Sequence, residues 1–125
     1  MRLDSVFGSE VSQALVQTTV AGGETGDSID LGADSGKYAG KIVALAGTLT
    51  TTVVLSLEES SDNSVWTAVA AVDVVGGVAT VSILDTADNT AAQIGYIGRQ
   101  RYFRLAVDSG AGGLVAIAQV CSKIV

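Results

Sequence analysis

The sequence predicts an all-β domain, an antiparallel β-sandwich of jelly-roll or Ig-like type built from roughly seven to nine short strands. Three observations carry this. Apolar and polar residues alternate with a period of two in several short runs, and no window holds a 3.6-residue stripe over three turns. The runs are separated by Gly, Asp, Asn and Ser, with 15 glycines and no proline in the chain. Hydrophobic residues make up 48% of it but aromatics only 5%, so the apolar content is mostly Ala and Val. Side chains of that size bury little area each, at about 25 cal/mol per Å². The core is therefore expected to be thin, with stabilisation left over for neighbouring subunits to supply.

A length of 125 residues fits one domain. Residues 1–10 mix charge with Leu3, Val6 and Phe7 without a sustained period and read as an N-terminal arm, leaving residues 11–125 as a single β-sandwich domain. Ala14, Val16, Thr18 and Val20 alternate and predict a first strand over the second half of 11–20. Residues 21–27 are a loop and 28–31 a short strand. The run 41–46 (K-I-V-A-L-A) is apolar on both faces, as in a strand covered on both sides. Residues 47–52 form a threonine-rich connection.

The stretch 53–69 organises the rest. Val53, Leu55 and Leu57 alternate with Val54, Ser56 and Glu58, and 60–64 (S-S-D-N-S) is a run of turn formers. A returning strand over 65–69 completes a hairpin and places Trp66 and Ala68 on one face. Trp66 is read as the largest core anchor, with Leu55, Leu57, Phe103 and Leu105, because an aromatic side chain buries roughly 150–250 Å². An exposed, ligand-stacking Trp66 is the alternative. Gly76-Gly77 predicts a tight turn into a strand over 78–84. Residues 85–92 are a loop or one helical turn. Strands follow over 94–97 and 100–107, the latter with Phe103, Leu105 and Val107 facing one way and Tyr102, Arg104 and Ala106 the other. Residues 108–113 turn into 114–120, again apolar on both faces.

Most chemistry is excluded by what is missing. There is no histidine, so Ser-His-Asp, Cys-His and histidine-ligated zinc sites cannot be assembled. Cys121 is the single cysteine, lies in an apolar run without a base beside it, and is read as a small packed residue. The glycines of 22–28 lack the lysine of a phosphate loop. Glu58 and Glu59 are neighbours on a strand and point to opposite faces, so they cannot act as paired glycosidase carboxylates. Asp27, Asp30 and Asp34, or Asp85, Asp88 and Asn89, offer oxygens but not the spacing of a calcium loop. No cofactor and no metal is expected. Seven basic against thirteen acidic residues give a net charge of −6, which disfavours direct nucleic-acid binding. No apolar run reaches the ~18–20 residues of a membrane helix, and residues 1–7 lack a signal-peptide core. The candidate interface residues are Arg99, Arg101, Tyr102 and Arg104, because Arg and Tyr are enriched at binding hot spots, with Val115 and Ile117 from the second two-sided run. The plainer reading of the arginines is solvent exposure, with pairing to Glu58 or Glu59.

Two segments together carry a resemblance: L-S-L-E-E-S-S-D-N-S-V-W-T-A-V at 55–69 and Y-I-G-R-Q-R-Y-F-R-L at 96–105. The combination resembles small virion proteins of tailed bacteriophages, regarded as capsid decoration (cement) or other head-associated proteins, over residues 52–120. In that pattern the turn usually reads Asp-Gly; here it is Asp62-Asn63, and Asn can take the left-handed conformation such a turn needs. The resemblance implies a non-enzymatic β-sandwich that binds the major capsid protein on the outer surface of an icosahedral head, often as a trimer at threefold or quasi-threefold points. It implies synthesis in the host cytoplasm and a final place on the capsid surface of the virion. The alternatives are another phage component (head fibre base, connector or tail protein), or a carbohydrate-binding sandwich with Trp66 or Tyr96 as a stacking platform.

Overall fold

The computed structural model describes residues 9–33, 35–86 and 90–122, so most of the expected N-terminal arm lies outside the described residues. Seven strands form one antiparallel sheet: β1 (Ser9–Ala21), β2 (Ile29–Asp30), β3 (Tyr38–Ser60), β4 (Thr67–Ala68), β5 (Thr80–Ile83), β6 (Ala91–Tyr96) and β7 (Tyr102–Ser122). The all-β, sandwich-like class is as the alternation predicted.

The strands are not uniformly short. β3 and β7 run for 23 and 21 residues and pair with each other along almost their whole lengths, from Tyr38↔Ser122 to Ser60↔Tyr102. The expected connections at 47–52 and 108–113 are therefore the middles of two long strands. Register shifts between Ala46 and Leu55 bend the pair there, since a bulge adds a residue on one side and turns the strand. Gly110 lies in this corner with φ +99°, and a Cβ on it would collide with the backbone of Thr52 and Val53. Composition that looks like a turn is here what lets a strand change layer without breaking.

The bend divides the sheet in two. Layer one holds β1, the second half of β7, the first half of β3, and β6. Layer two holds the first half of β7 and the second half of β3, edged by β2 on one side and by β4 and β5 on the other. They face each other. Tyr96 of layer one stacks on Phe103 of layer two with ring centroids 5.1 Å apart, and a Cβ on Gly40 would enter the Phe103 ring. Leu55, Leu57, Phe103 and Leu105 are all 1% exposed or less and fill the middle of the core with Ile42, Val53 and Leu114. Each such side chain contributes roughly 1.5–3 kcal/mol by leaving water.

Trp66 does not belong to this core. Val69 is buried at 5%, and alternation then turns Trp66 and Ala68 outward, where Trp66 is half-buried on the outer face of layer two. The sequence grouped the right pair but gave it the wrong side. Cys121 also points out and is exposed. The runs 41–46 and 114–120 are not covered on both sides: their even-numbered positions are buried and their odd-numbered ones open, with Leu45 46%, Val115 39% and Ile117 41% exposed.

Candidate functional site

Three regions carry the side chains that could contact something else. At one end of the sandwich, polar side chains tie the connecting loops to the strands. The Tyr96 hydroxyl donates to Glu59 Oε1 at 2.7 Å and accepts the Gln100 N–H at 3.0 Å, linking β6, β3 and the loop before β7. Burial, reinforced by the Glu59 hydrogen bond, raises the Tyr96 phenol well above its ordinary value. Tyr96 is 0% exposed, so it cannot be a stacking platform for a ligand. Asp30 receives Arg101 Nε at 2.8 Å and Nη2 at 3.0 Å and also caps the Gly32 N–H at 2.7 Å. The Ser35 hydroxyl holds the Arg99 carbonyl at 2.8 Å.

Beside this end, 61–66 is a side-chain-organised loop. Asp62 Oδ1 accepts the N–H groups of Ser64 and Val65 and the Ser60 hydroxyl, at 2.9–3.0 Å. The Val65 and Ser64 amides, then the Ser60 hydroxyl, hold the Asp62 carboxyl below the usual carboxylate range. Asn63 has φ +60°, the left-handed conformation expected of this turn.

The outer face of layer two is charged and aromatic. Arg104 and Glu58 are direct cross-strand partners, with Nη2 and Oε1 2.8 Å apart and side chains only 22% and 27% exposed. The Arg104 guanidinium lies 4.1 Å from the Trp66 ring centroid, so one guanidinium joins an ion pair to a cation–π contact. Arg101 sits 5.2 Å over the Tyr102 ring. The chain bends at Arg101 before β7 begins, which takes its side chain to Asp30 and Tyr102 rather than to the face of Phe103.

The outer face of layer one is different in kind. Register places Val115 beside Leu45 and Ala91, Ile117 beside Val43 and Gln93, Gln119 beside Lys41 and Gly95, and Cys121 beside Ala39. Lys41 is the one charge among these eleven positions. A shallow groove of about 290 Å³ lies at one end, lined by Ala39, Gly40, Lys41, Val75, Gln93, Gly95 and Cys121.

The candidate interface residues therefore do not form one site. Arg104 and Tyr102 are on the outer face of layer two, Arg99 and Arg101 at the sandwich end, and Val115 and Ile117 on the opposite outer face. Leu45, Val43 and Val75 belong with the last two; the two-sided apolar run 41–46 is the signal for Leu45 and Val43, and Val75 has none. Among the described residues no group of three His, Cys, Asp or Glu side chains could hold a metal, and Asp30 is committed to Arg101. Asp34, Asp88 and Asn89 lie outside the described residues.

No protein-family model and no curated protein matches the sequence. Solved structures match the fold. The SPBc2 prophage-derived protein YomS superposes with a TM-score of 0.51 at 11% identity, covering 90% of this chain and 93% of that one. The PBSX exported protein XepA gives 0.57 at 17% identity, covering 100% of this chain, which spans 40% of XepA. A family 35 carbohydrate-binding module from Clostridium thermocellum gives 0.48 at 14% identity, covering 91% and 98%. At these identities the likeness is one of fold.

Proposed function

We propose that this chain is a non-enzymatic structural protein of a tailed-phage virion, a decoration protein that docks on the major capsid protein at the outer surface of the head. The observation that carries the reading is an inversion in layer one. Between the buried Ile42, Leu114 and Val120 its paired strands turn Ala44, Ala46, Ala116 and Ala118 into the core, at 5% exposure or less, and turn the larger Val43, Leu45, Val115 and Ile117 outward. A sandwich that works alone gains by the opposite arrangement. The fold shared with the prophage-derived YomS and the paired sequence segments support the same reading.

The size of the face says what kind of docking it suits. Three strands about 4.8 Å apart and seven residues at about 3.3 Å each span roughly 300 Å². That is on the scale of a functional apolar patch but well below the ~800 Å² per partner of a stable pairwise complex. Binding to a shell that repeats its site many times tolerates such a weak single contact when copies are linked.

The test uses purified chain and shells of the cognate phage that lack it. Co-sedimentation, and greater resistance of loaded shells to heat and osmotic shock, are expected. Leu45→Asp with Ile117→Asp should abolish both while the melting curve of the free chain stays in place. Equal robustness of bare and loaded shells would end the cement role. A second reading, a saccharide platform, rests on half-exposed Trp66 beside Arg104 and Glu58. It requires added sugars to shift Trp66 fluorescence, and an unresponsive Trp66 removes it.

A further inference from the structure

We infer that β1 is a docking edge for a second copy of this chain, two β1 strands pairing antiparallel about a twofold axis. The argument starts from how the molecule treats its other sheet edges. An open edge strand offers a row of unpaired N–H and C=O groups to any passing strand, and proteins blunt such edges by shortness, charge, proline or cover. The far side of β6 is covered: the Val75 N–H donates to the Gly95 carbonyl and the Ile97 N–H to the Asp73 carbonyl, both at 2.9 Å. β2 and β4 have two residues each and β5 has four.

β1 has 13 residues and, among the described residues, pairs only with β7. Its middle is closed by the Asp27 N–H, which donates to the Ala14 carbonyl at 2.7 Å beside the register shift between Gln13 and Leu15. The segment before that shift, Ser9 to Gln13, keeps regular register with 117–121 and, among the described residues, has no such closure. Its sequence, S-E-V-S-Q, has one charge and neither lysine nor proline. Among the described residues, the one long edge is thus the one left without cover.

A second copy is the occupant that fits. Antiparallel pairing of identical strands is isologous: if residue i of one faces j of the other, j also faces i, so one open edge completes another and the assembly closes at two. The pairing also makes layer one a single continuous sheet across the axis, in the order β3-β7-β1-β1-β7-β3. This inference does not rest on the virion reading, because it is tested on the purified chain alone.

Sedimentation of the full chain is expected to show a concentration-dependent dimer. Single cysteines at Ser9, Val11 and Gln13, each with Cys121→Ser, locate the axis under mild oxidation. With the axis near Val11, Val11→Cys cross-links to itself, while Ser9→Cys and Gln13→Cys cross-link only when mixed. Val11→Lys, which brings two cations together at the axis, should yield monomer with an unchanged circular dichroism spectrum and a melting curve that no longer shifts with concentration. A monomer at every concentration overturns the inference. So does self-cross-linking of all three positions, which is parallel pairing, or a dimer that survives Val11→Lys and is lost in Leu45→Asp, which places the copy on the outer face instead.

Discussion

Removing one oxygen from Tyr96 tests how the end of the sandwich is held. In Tyr96→Phe the ring remains, and with it the stacking on Phe103 at 5.1 Å. What goes is a charge-assisted hydrogen bond to Glu59 and the acceptor of the Gln100 N–H. A hydrogen bond to a charged group is worth about 1.5–3 kcal/mol, and leaving a part-buried N–H unmet adds to that, so the expected loss is about 2–3 kcal/mol. With an unfolding entropy of about 2.1 cal/mol/K per residue, 125 residues give about 0.26 kcal/mol/K. The loss then appears as a fall in Tm of about 10 °C. Urea unfolding followed by circular dichroism measures it directly. In a Glu59→Gln background the acceptor is neutral, and the cost of Tyr96→Phe should fall by roughly half. The pH dependence has a definite sign. The folded phenol titrates above its unfolded value of about 10, so its contribution is complete below that pH and is lost as pH rises beyond it. Wild type and Tyr96→Phe should therefore converge only in the alkaline limb. A loss under about 0.5 kcal/mol, or an equal loss in both Glu59 backgrounds, would show that the hydroxyl is not a tie between the layers.

Trp66→Ala should cost only about 1–2 kcal/mol, the scale of a partly exposed cation–π contact with some packing, against the roughly 3–5 kcal/mol of a buried aromatic; chemical denaturation separates the two. Arg104→Ala should shift Trp66 emission to the red by uncovering the ring. Asp62 is held below the ordinary carboxylate range, so its contribution is present above about pH 4 and disappears as pH falls through the folded value. Asp62→Ala is expected to destabilise at neutral pH and to match wild type in an acid melt; a constant difference down to low pH would contradict the capping geometry. Gly40→Ala pushes a methyl into the Phe103 ring and should cost about 1–3 kcal/mol by overpacking, checked by thermal melts. Ala116→Leu, at a position 0% exposed, should destabilise similarly, whereas Ile117→Ala, 41% exposed, should leave Tm within a degree or two while weakening attachment to a partner.

What could be read from the residues was the face each strand gives the core. Phe103, Leu105 and Val107 alternate with Tyr102 and Arg104, and the structure buries the first three at 1% or less. Leu55 and Leu57 follow the same rule. Connectivity across the corner was not legible, because G-T-L-T-T-T and D-S-G-A-G-G are the compositions of a bend, and a bend inside a paired strand looks the same locally as a turn between strands. At Trp66 the size of the side chain argues for the core, whereas alternation along the segment turns it outward. Val69, three residues on, occupies the core position, and Arg104 on another strand supplies the outward partner. The Tyr96–Glu59 tie joins residues 37 apart, and only the packing of one layer on the other brings them together.

The inversion in layer one also constrains how the fold selects its register. Slipping β3 by one residue against its neighbours would exchange Ala44 and Ala46 for Val43 and Leu45 in the core, a move that period-two geometry always permits. Greasiness alone does not forbid it, since both faces of 42–46 are apolar. Volume does. The Phe103 ring already fills the space above Gly40, and the slip would put the side chain of Ala39 or Lys41 where no Cβ fits. Layer two sends Val53, Leu55, Leu57, Phe103 and Leu105 inward, and opposite them layer one buries Ile42, Tyr96 and Leu114 but only alanine at 44, 46, 116 and 118. The same register turns Val43, Leu45, Val115 and Ile117 outward, and a free chain keeps them against water at a cost. That cost would be recovered wherever another surface covered Leu45, Val115 and Ile117.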